Sequence, residues 1–139
     1  MSLGNRIAAI DYGRKRIGYA ISDPLKITAR PKTAFQNTDK LFDEINAELI
    51  EDNVELVVIG KPERNDVNSK IVDEIEEFAV KLKEITGIDN VFFDESYSSK
   101  NAIRKMIESG RNKKFRREKS NTDTFAAAII LEEYLNSNE

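Results

Sequence analysis

The sequence predicts an α/β fold: a five-stranded mixed sheet flanked by helices. Three observations point to it. Residues 7–23 read IAAIDYGRKRIGYAISD, two apolar runs around a tight polar turn, which is the pattern of a hairpin. Further along, strand-length apolar runs alternate with stretches of helical periodicity, the pattern of βαβ units with parallel strands. The chain has 139 residues, 40% hydrophobic and 34% charged, which suits one domain with one core spanning 1–139.

Each element has its own signal. Residues 6–11 read as a buried strand and 16–22 as its antiparallel neighbour, where Ile17, Tyr19 and Ile21 alternate with Gly18, Ala20 and Ser22. Asp23-Pro24 breaks that strand, and a more polar third strand covers 26–35. Residues 39–52 carry a helical stripe of Leu41, Phe42, Ile45, Leu49 and Ile50. The run VELVVI predicts a strand over 54–59, ended by Gly60-Lys61-Pro62. Residues 69–86 form the clearest helix, with Ile71, Ile75, Phe78, Leu82 and Ile85 at three- and four-residue spacing and Gly87 as its stop. A short strand over 90–94 ends in Asp94-Glu95, a helix is predicted over 99–109, and a last helix covers 121–135. The anchors of that last helix are Phe125, Ile129, Leu131, Tyr134 and Leu135.

Composition narrows the chemistry. The chain contains no Cys and no His, which excludes disulfides, thiolate nucleophiles, imidazole bases and zinc sites built on either. A hydrolytic site must then rest on carboxylates, Lys, Arg, Tyr or hydroxyls, and carboxylates select hard cations such as Mg²⁺ or Mn²⁺. No apolar run approaches the ~20 residues of a membrane span, no export signal is visible, and a cytoplasmic location is the expectation. Net charge is only −3, but the basic residues cluster: Lys113, Lys114, Arg116 and Arg117 stand in a segment opposed by few acids. A local basic patch on an acidic protein suits a polyanion.

Three elements begin or end with acids. Asp11 closes the first strand, Asp94 and Glu95 close the last, and Asp123 opens the final helix. Adjacent parallel strands end on one edge of a sheet, where sites form. Carboxylates gathered there repel one another unless cations neutralise them, and paired divalent ions are the usual answer in nucleases. Arg14, Lys15 and Arg16 follow Asp11 and are candidates to hold phosphate. Each acid also has a plain structural reading: Asp11 as a turn former, Asp94 and Glu95 as ordinary strand ends, and Asp123 as part of a capping box with Ser120. The basic run has one too, as a solvated loop.

The motifs resemble those of a known family. Asp11-x-Gly13-x-x-Arg16-Ile17-Gly18-x-Ala20-x-Ser22-Asp23 is similar to the opening signature of the YqgF (RuvX) family. Gly60-x-Pro62, Asp94-Glu95-x-x-Ser98-Ser99-x-x-Ala102 and Asp123-x-x-Ala126-Ala127 resemble its later motifs, in order, over nearly the whole chain. Lys61 and Ser96 stand where the family has Leu and Arg, and the loop 63–69 lacks its Asp-Gly step. The resemblance implies an RNase H-like fold and a nuclease that needs Mg²⁺ or Mn²⁺. Its acids would map onto Asp11, Glu95 and Asp123, with Asp94 a further metal-ligand candidate. The implied substrate is a structured nucleic acid, either the 5′ end of the pre-16S rRNA or a Holliday junction. A junction enzyme would be expected as a homodimer, whereas an RNA-processing enzyme can act as a monomer.

Two rival functions remain open to the sequence. One is a non-catalytic nucleic-acid-binding module of ribosome assembly or recombination. The other is an actin-like ATPase, which shares an Asp-x-Gly turn but closes two domains around its nucleotide; this length provides for one.

Overall fold

The computed structural model describes residues 5–94 and 119–137, with the side chains of 119–123 outside that description. A three-strand meander opens the chain: β1 (Arg6–Asp11), β2 (Arg16–Ser22) and β3 (Ala29–Gln36). Helix α1 (Leu41–Glu51), β4 (Val54–Lys61), α2 (Ser69–Thr86) and β5 (Asp89–Asp94) follow, and α3 (Lys119–Ser137) is the last described element. The helix predicted over 99–109 and the basic segment after it lie outside the described residues. The sheet order is β3-β2-β1-β4-β5. β2 is antiparallel to β1 and β3, while β1–β4 and β4–β5 are parallel.

Strand alternation divides the core in two. Ala8, Ile10, Ile17, Tyr19, Ile21, Val57 and Ile59 pack with Leu41, Ile45 and Leu49 of α1 and with Ile75, Phe78 and Leu82 of α2. Ile7, Ala9, Ala20 and Val58 pack on the other side with Ala127, Ile130, Leu131 and Leu135 of α3. Both faces of the central strands are therefore covered, which is why they read as unbroken apolar runs. Among the described residues no helix is long and apolar enough to cross a membrane.

The differences from expectation have local causes. β3 starts at Ala29 rather than residue 26 because Asp23 closes a loop: its Oδ1 accepts hydrogen bonds from the amides of Ile27 (2.7 Å) and Thr28 (2.8 Å). Those donors hold the Asp23 carboxyl below its ordinary range, Thr28 foremost. β4 runs two residues past Ile59 because Gly60 and Lys61 pair with Phe93 and Asp94. In α1, Ile50 is 65% exposed; it lies about 100° around the helix from Leu49, off the line through Leu41 and Ile45. In α2, Ile85 is likewise exposed, and Val72 and Ala79 complete the buried face.

Two bulges position polar groups. The register of β1 against β4 shifts between Arg6 and Ile7, so Val54 and Leu56 face opposite layers. The second shift, between Tyr19 and Ala20, leaves Lys32 as the extra residue of β3. There its amine meets Glu48 and Asp52 (Oδ1, 2.6 Å). Asp52 is buried, and its other oxygen accepts the Tyr19 hydroxyl at 2.9 Å. Tyr19 is the partner of Ile10 on β1, and its hydroxyl reaches back to Asp52, just before β4 begins.

Candidate active site

The parallel strands β1, β4 and β5 end on one edge of the sheet, and their last residues are Asp11, Lys61 and Asp94. β4 lies between the other two, so Asp11 stands two strand spacings from β5, about 10 Å.

The face each side chain occupies sorts the candidates. Ile10 packs under α1 and α2, so alternation turns Asp11 to the α3 face, half-buried. Its partner on β2 is Gly18, and one step beyond the Ile10–Ile59 pairing on β4 comes Gly60. The half-buried carboxylate is thus flanked on both sides by residues without side chains. Alternation also puts Arg16 on this face, because Ile17 points the other way. Arg16 is half-buried and diagonal to Asp11 across the ladder, within reach of a long side chain.

The turn between β1 and β2 is tightly held. A Cβ on Gly13 would lie 2.5 Å from the Arg16 carbonyl oxygen, so the turn closes only with glycine there. Asn37, just past β3, latches it: its side-chain amide donates to the Gly13 carbonyl at 3.1 Å, and its backbone N–H donates to the Lys15 carbonyl at 2.9 Å. Asn37 is the part that sequence reasoning missed, and Gly18 and Gly60, present in the motifs, are placed beside Asp11 only by strand pairing. The same pairing of β2 with β3 brings Asn37 to the turn.

The remaining candidates are elsewhere. Tyr12 stacks on Phe78 under α2, with ring centroids 5.1 Å apart. Arg14 turns the same way and is forked onto Glu74 of α2 at 3.0 to 3.2 Å. The hydrogen bonds it donates to Glu74, and then the Glu74 charge, hold the guanidinium above its ordinary range. Lys15 is exposed at the turn. Asp94 lines a cleft of about 430 Å³ with Val72 and Glu76 of α2, on the opposite face from Asp11. Asp11 and Asp94 therefore share an edge of the sheet but not a face. Glu95, Lys113, Lys114, Arg116 and Arg117 lie outside the described residues, as does the Asp123 side chain; the backbone of Asp123 belongs to α3. Among the described residues no three acidic side chains are grouped so that they could hold a metal ion.

An antiparallel meander continued by two parallel strands, with an acid ending the central strand β1 and helices on both faces, defines an RNase H-like protein. Solved structures share this fold. The RuvC of T. thermophilus, in complex with a Holliday junction substrate, aligns with a TM-score of 0.58 at 15% identity, covering 96% of this chain and 94% of that one. The fowlpox virus resolvase in complex with Holliday junction DNA aligns at 0.53 and 18% identity, covering 96% and 98%. The sequence model described as RuvX, Holliday junction resolvase, matches residues 5–137, and the chain belongs to that family. A relative from Amoebophilus asiaticus, named "Putative pre-16S rRNA nuclease", is 40% identical over 134 residues, covering 95% of this chain and 94% of its own. Relatives of the same name from Porphyromonas gingivalis (40% identical, 95% and 96% covered) and Chlorobaculum tepidum (38%, 95% and 94%) match equally broadly.

Proposed function

We propose that residues 1–139 form one nuclease domain that cleaves phosphodiester bonds in structured nucleic acid with the help of Mg²⁺ or Mn²⁺. The 5′ end of the 16S rRNA precursor is the preferred substrate, as the names of the relatives suggest, and branched DNA is the second. One observation carries the reading: Asp11 ends the central strand between Gly18 and Gly60, with Arg16 on the same face.

The donor set fits a hard divalent ion. A carboxylate held at a strand end offers oxygen, the chain has neither His nor Cys to attract softer metals, and the two glycines leave room beside the acid. Asp11 would hold the ion, with Glu95 and Asp123 completing its oxygen shell. Bound there, the ion supplies Lewis-acid stabilisation of phosphate charge and a more acidic water. Arg16 would pair with a phosphate oxygen next to the scissile bond, and the flanking glycines let the backbone of the nucleic acid come close. Lys15 at the turn and the segment with Lys113, Lys114, Arg116 and Arg117 would track neighbouring phosphates, making binding salt-dependent. One cut in an RNA asks only for a monomer; paired cuts in a junction ask for two symmetric copies.

The test is a cleavage assay on a 5′-extended 16S precursor fragment and on a four-way DNA junction, with Mg²⁺, Mn²⁺ or a chelator. Asp11→Asn should lower metal-dependent cleavage by about 100-fold or more while binding persists. Undiminished cleavage by the variant would remove Asp11 from the site. Tight binding by the unmodified protein with no cleavage under any metal would make the chain a binding module instead.

A further inference from the structure

Residues 12–15 join Asp11 at the end of β1 to Arg16 at the start of β2, and each of them has a partner from outside the hairpin. Tyr12 stacks on Phe78 of α2, with ring centroids 5.1 Å apart. The Gly13 carbonyl accepts a hydrogen bond from the Asn37 side-chain amide at 3.1 Å. Arg14 donates hydrogen bonds of 3.0 to 3.2 Å to both oxygens of the Glu74 carboxylate on α2. The Lys15 carbonyl accepts from the Asn37 backbone N–H at 2.9 Å. The turn is thus braced both from the end of β3 and from α2.

Joining two paired strands does not call for this many anchors. The β1–β2 ladder sets the register, and Gly13 allows the close approach to the Arg16 carbonyl. What the anchors add is a fixed stance of the turn against β3 and α2, at the sheet edge where Asp11 ends. The ionic anchor contributes little to folding: 59% of the Arg14 side chain and 36% of that of Glu74 are exposed, so water and salt screen the pair. The fork still fixes direction, because the guanidinium meets both carboxylate oxygens at once. We infer that Asn37 and the Arg14–Glu74 pair are positioning residues of the nuclease site, holding the turn so that Arg16, with Lys15 before it, meets the phosphate next to Asp11. The inference rests on the nuclease reading above and deepens it. It places Arg14 in the scaffold and not on the substrate, since Glu74 already meets its charge. A displacement of about 1 Å at a reacting centre can cost about 100-fold in rate, so a brace that adds little stability can still decide cleavage.

The experiment is single-turnover cleavage, in Mg²⁺ or Mn²⁺, of whichever probe the unmodified protein cuts, the 5′-extended 16S precursor fragment or the four-way junction. Affinity in chelator and thermal unfolding are measured for every variant. Asn37→Ala should slow cleavage about 10- to 100-fold with affinity little changed. Asn37→Asp should do no better, because it sets an acceptor against the Gly13 carbonyl. In an Arg16→Gln background the same Asn37→Ala change should cost only about 3-fold or less, since a residue that acts by placing Arg16 then has nothing to place. Arg14→Glu should slow cleavage about 10-fold by opposing two carboxylates, and adding Glu74→Arg should restore most of the rate. This charge swap keeps both partners of the brace, so it still decides the matter if Asn37→Ala fails to fold. Equal losses from Asn37→Ala with and without Arg16 would overturn the inference, showing a part in folding alone. A swapped pair as slow as Arg14→Glu would also overturn it and return Arg14 to the phosphate. Undiminished cleavage by Asn37→Ala, where Asp11→Asn abolishes it, sinks the brace and leaves the nuclease reading intact. If the unmodified protein cuts neither probe, or Asp11→Asn cuts as well as it does, both readings fall together.

Discussion

A single methyl group separates a working turn from a broken one at Gly13. Its Cβ would stand 2.5 Å from the Arg16 carbonyl oxygen, a backbone atom that cannot swing aside. Gly13→Ala must therefore open the β1–β2 turn, shifting Arg16 relative to Asp11. We expect roughly 1–3 kcal/mol of lost stability from the overpacking. Cleavage should also fall by about 10-fold or more from misplacement of the charges. Chemical unfolding and a cleavage time course check the two halves, and an unaltered cleavage rate would show that the turn does not position the site. At this scale Asp11 was legible in the sequence, because an apolar run closed by an acid and followed by a glycine turn is a local pattern. The face on which Asp94 lies was not. Nothing local tells which side of β5 meets α2, so the sequence grouped it with Asp11, and its place in the cleft beside α2 separates them. Arg14 and Arg16 are two residues apart and both basic, yet Glu74 draws one to α2 while strand alternation aims the other at the opposite face.

Helix α2 shows how far an element can be read from its own residues. Its bounds, Ser69–Thr86, are those predicted, since the stop is local: Gly87 adopts a φ of 73°, and its N–H donates to the Lys83 carbonyl at 2.8 Å. A Cβ there would meet nothing within 4 Å, so Gly87→Ala tests backbone strain free of packing. The expected cost is about 1 kcal/mol, read as a lower unfolding midpoint with an unchanged denaturant slope. A neutral substitution would mean that the cap relaxes out of the left-handed region. Phase was less legible than bounds. Val72 and Ala79 are buried while Ile85 is not, because the line of contact is set by the sheet beneath and not by which residues are largest. In α3 the buried Ala127 makes the same point: the small side chains of Ala9 and Ala20 on the sheet call for a close helix.

The molecule as a whole sets a polar network on the α1 face of the sheet and Asp11 on the α3 face. On the α1 face of the sheet, Tyr19, Lys32 and Asp52 form a largely buried network. Burial, and then the hydrogen bond to Asp52, raise the Tyr19 hydroxyl far above its ordinary value of 10.0. For Lys32 burial pulls downward, but the hydrogen bonds to Asp52 and Glu48 outweigh it and leave the amine raised. A group whose pKa is raised on folding contributes stability that is full below its unfolded value and fades as pH climbs through the folded one. Thermal stability should therefore decline once pH passes about 10. Tyr19→Phe should flatten that decline and cost about 1–2 kcal/mol near neutrality, with cleavage unaffected. Melting curves across the alkaline range decide it, and an equally steep decline in the variant would assign the effect to other groups.

The sequence by itself determined the order and type of the described elements, the absence of His and Cys that leaves carboxylates, Lys, Arg, Tyr and hydroxyls for a hydrolytic site, and membership of the RuvX family. These follow from local pattern and composition, which short-range sterics and side-chain chemistry translate directly. Tertiary structure alone decided the neighbours: Gly18 and Gly60 beside Asp11, Asn37 latching the turn, and Asp94 and Arg14 on the α2 face. Residues far apart in the chain meet only when the sheet sets its strand order and register. A one-residue step along a strand then turns a side chain to the opposite face.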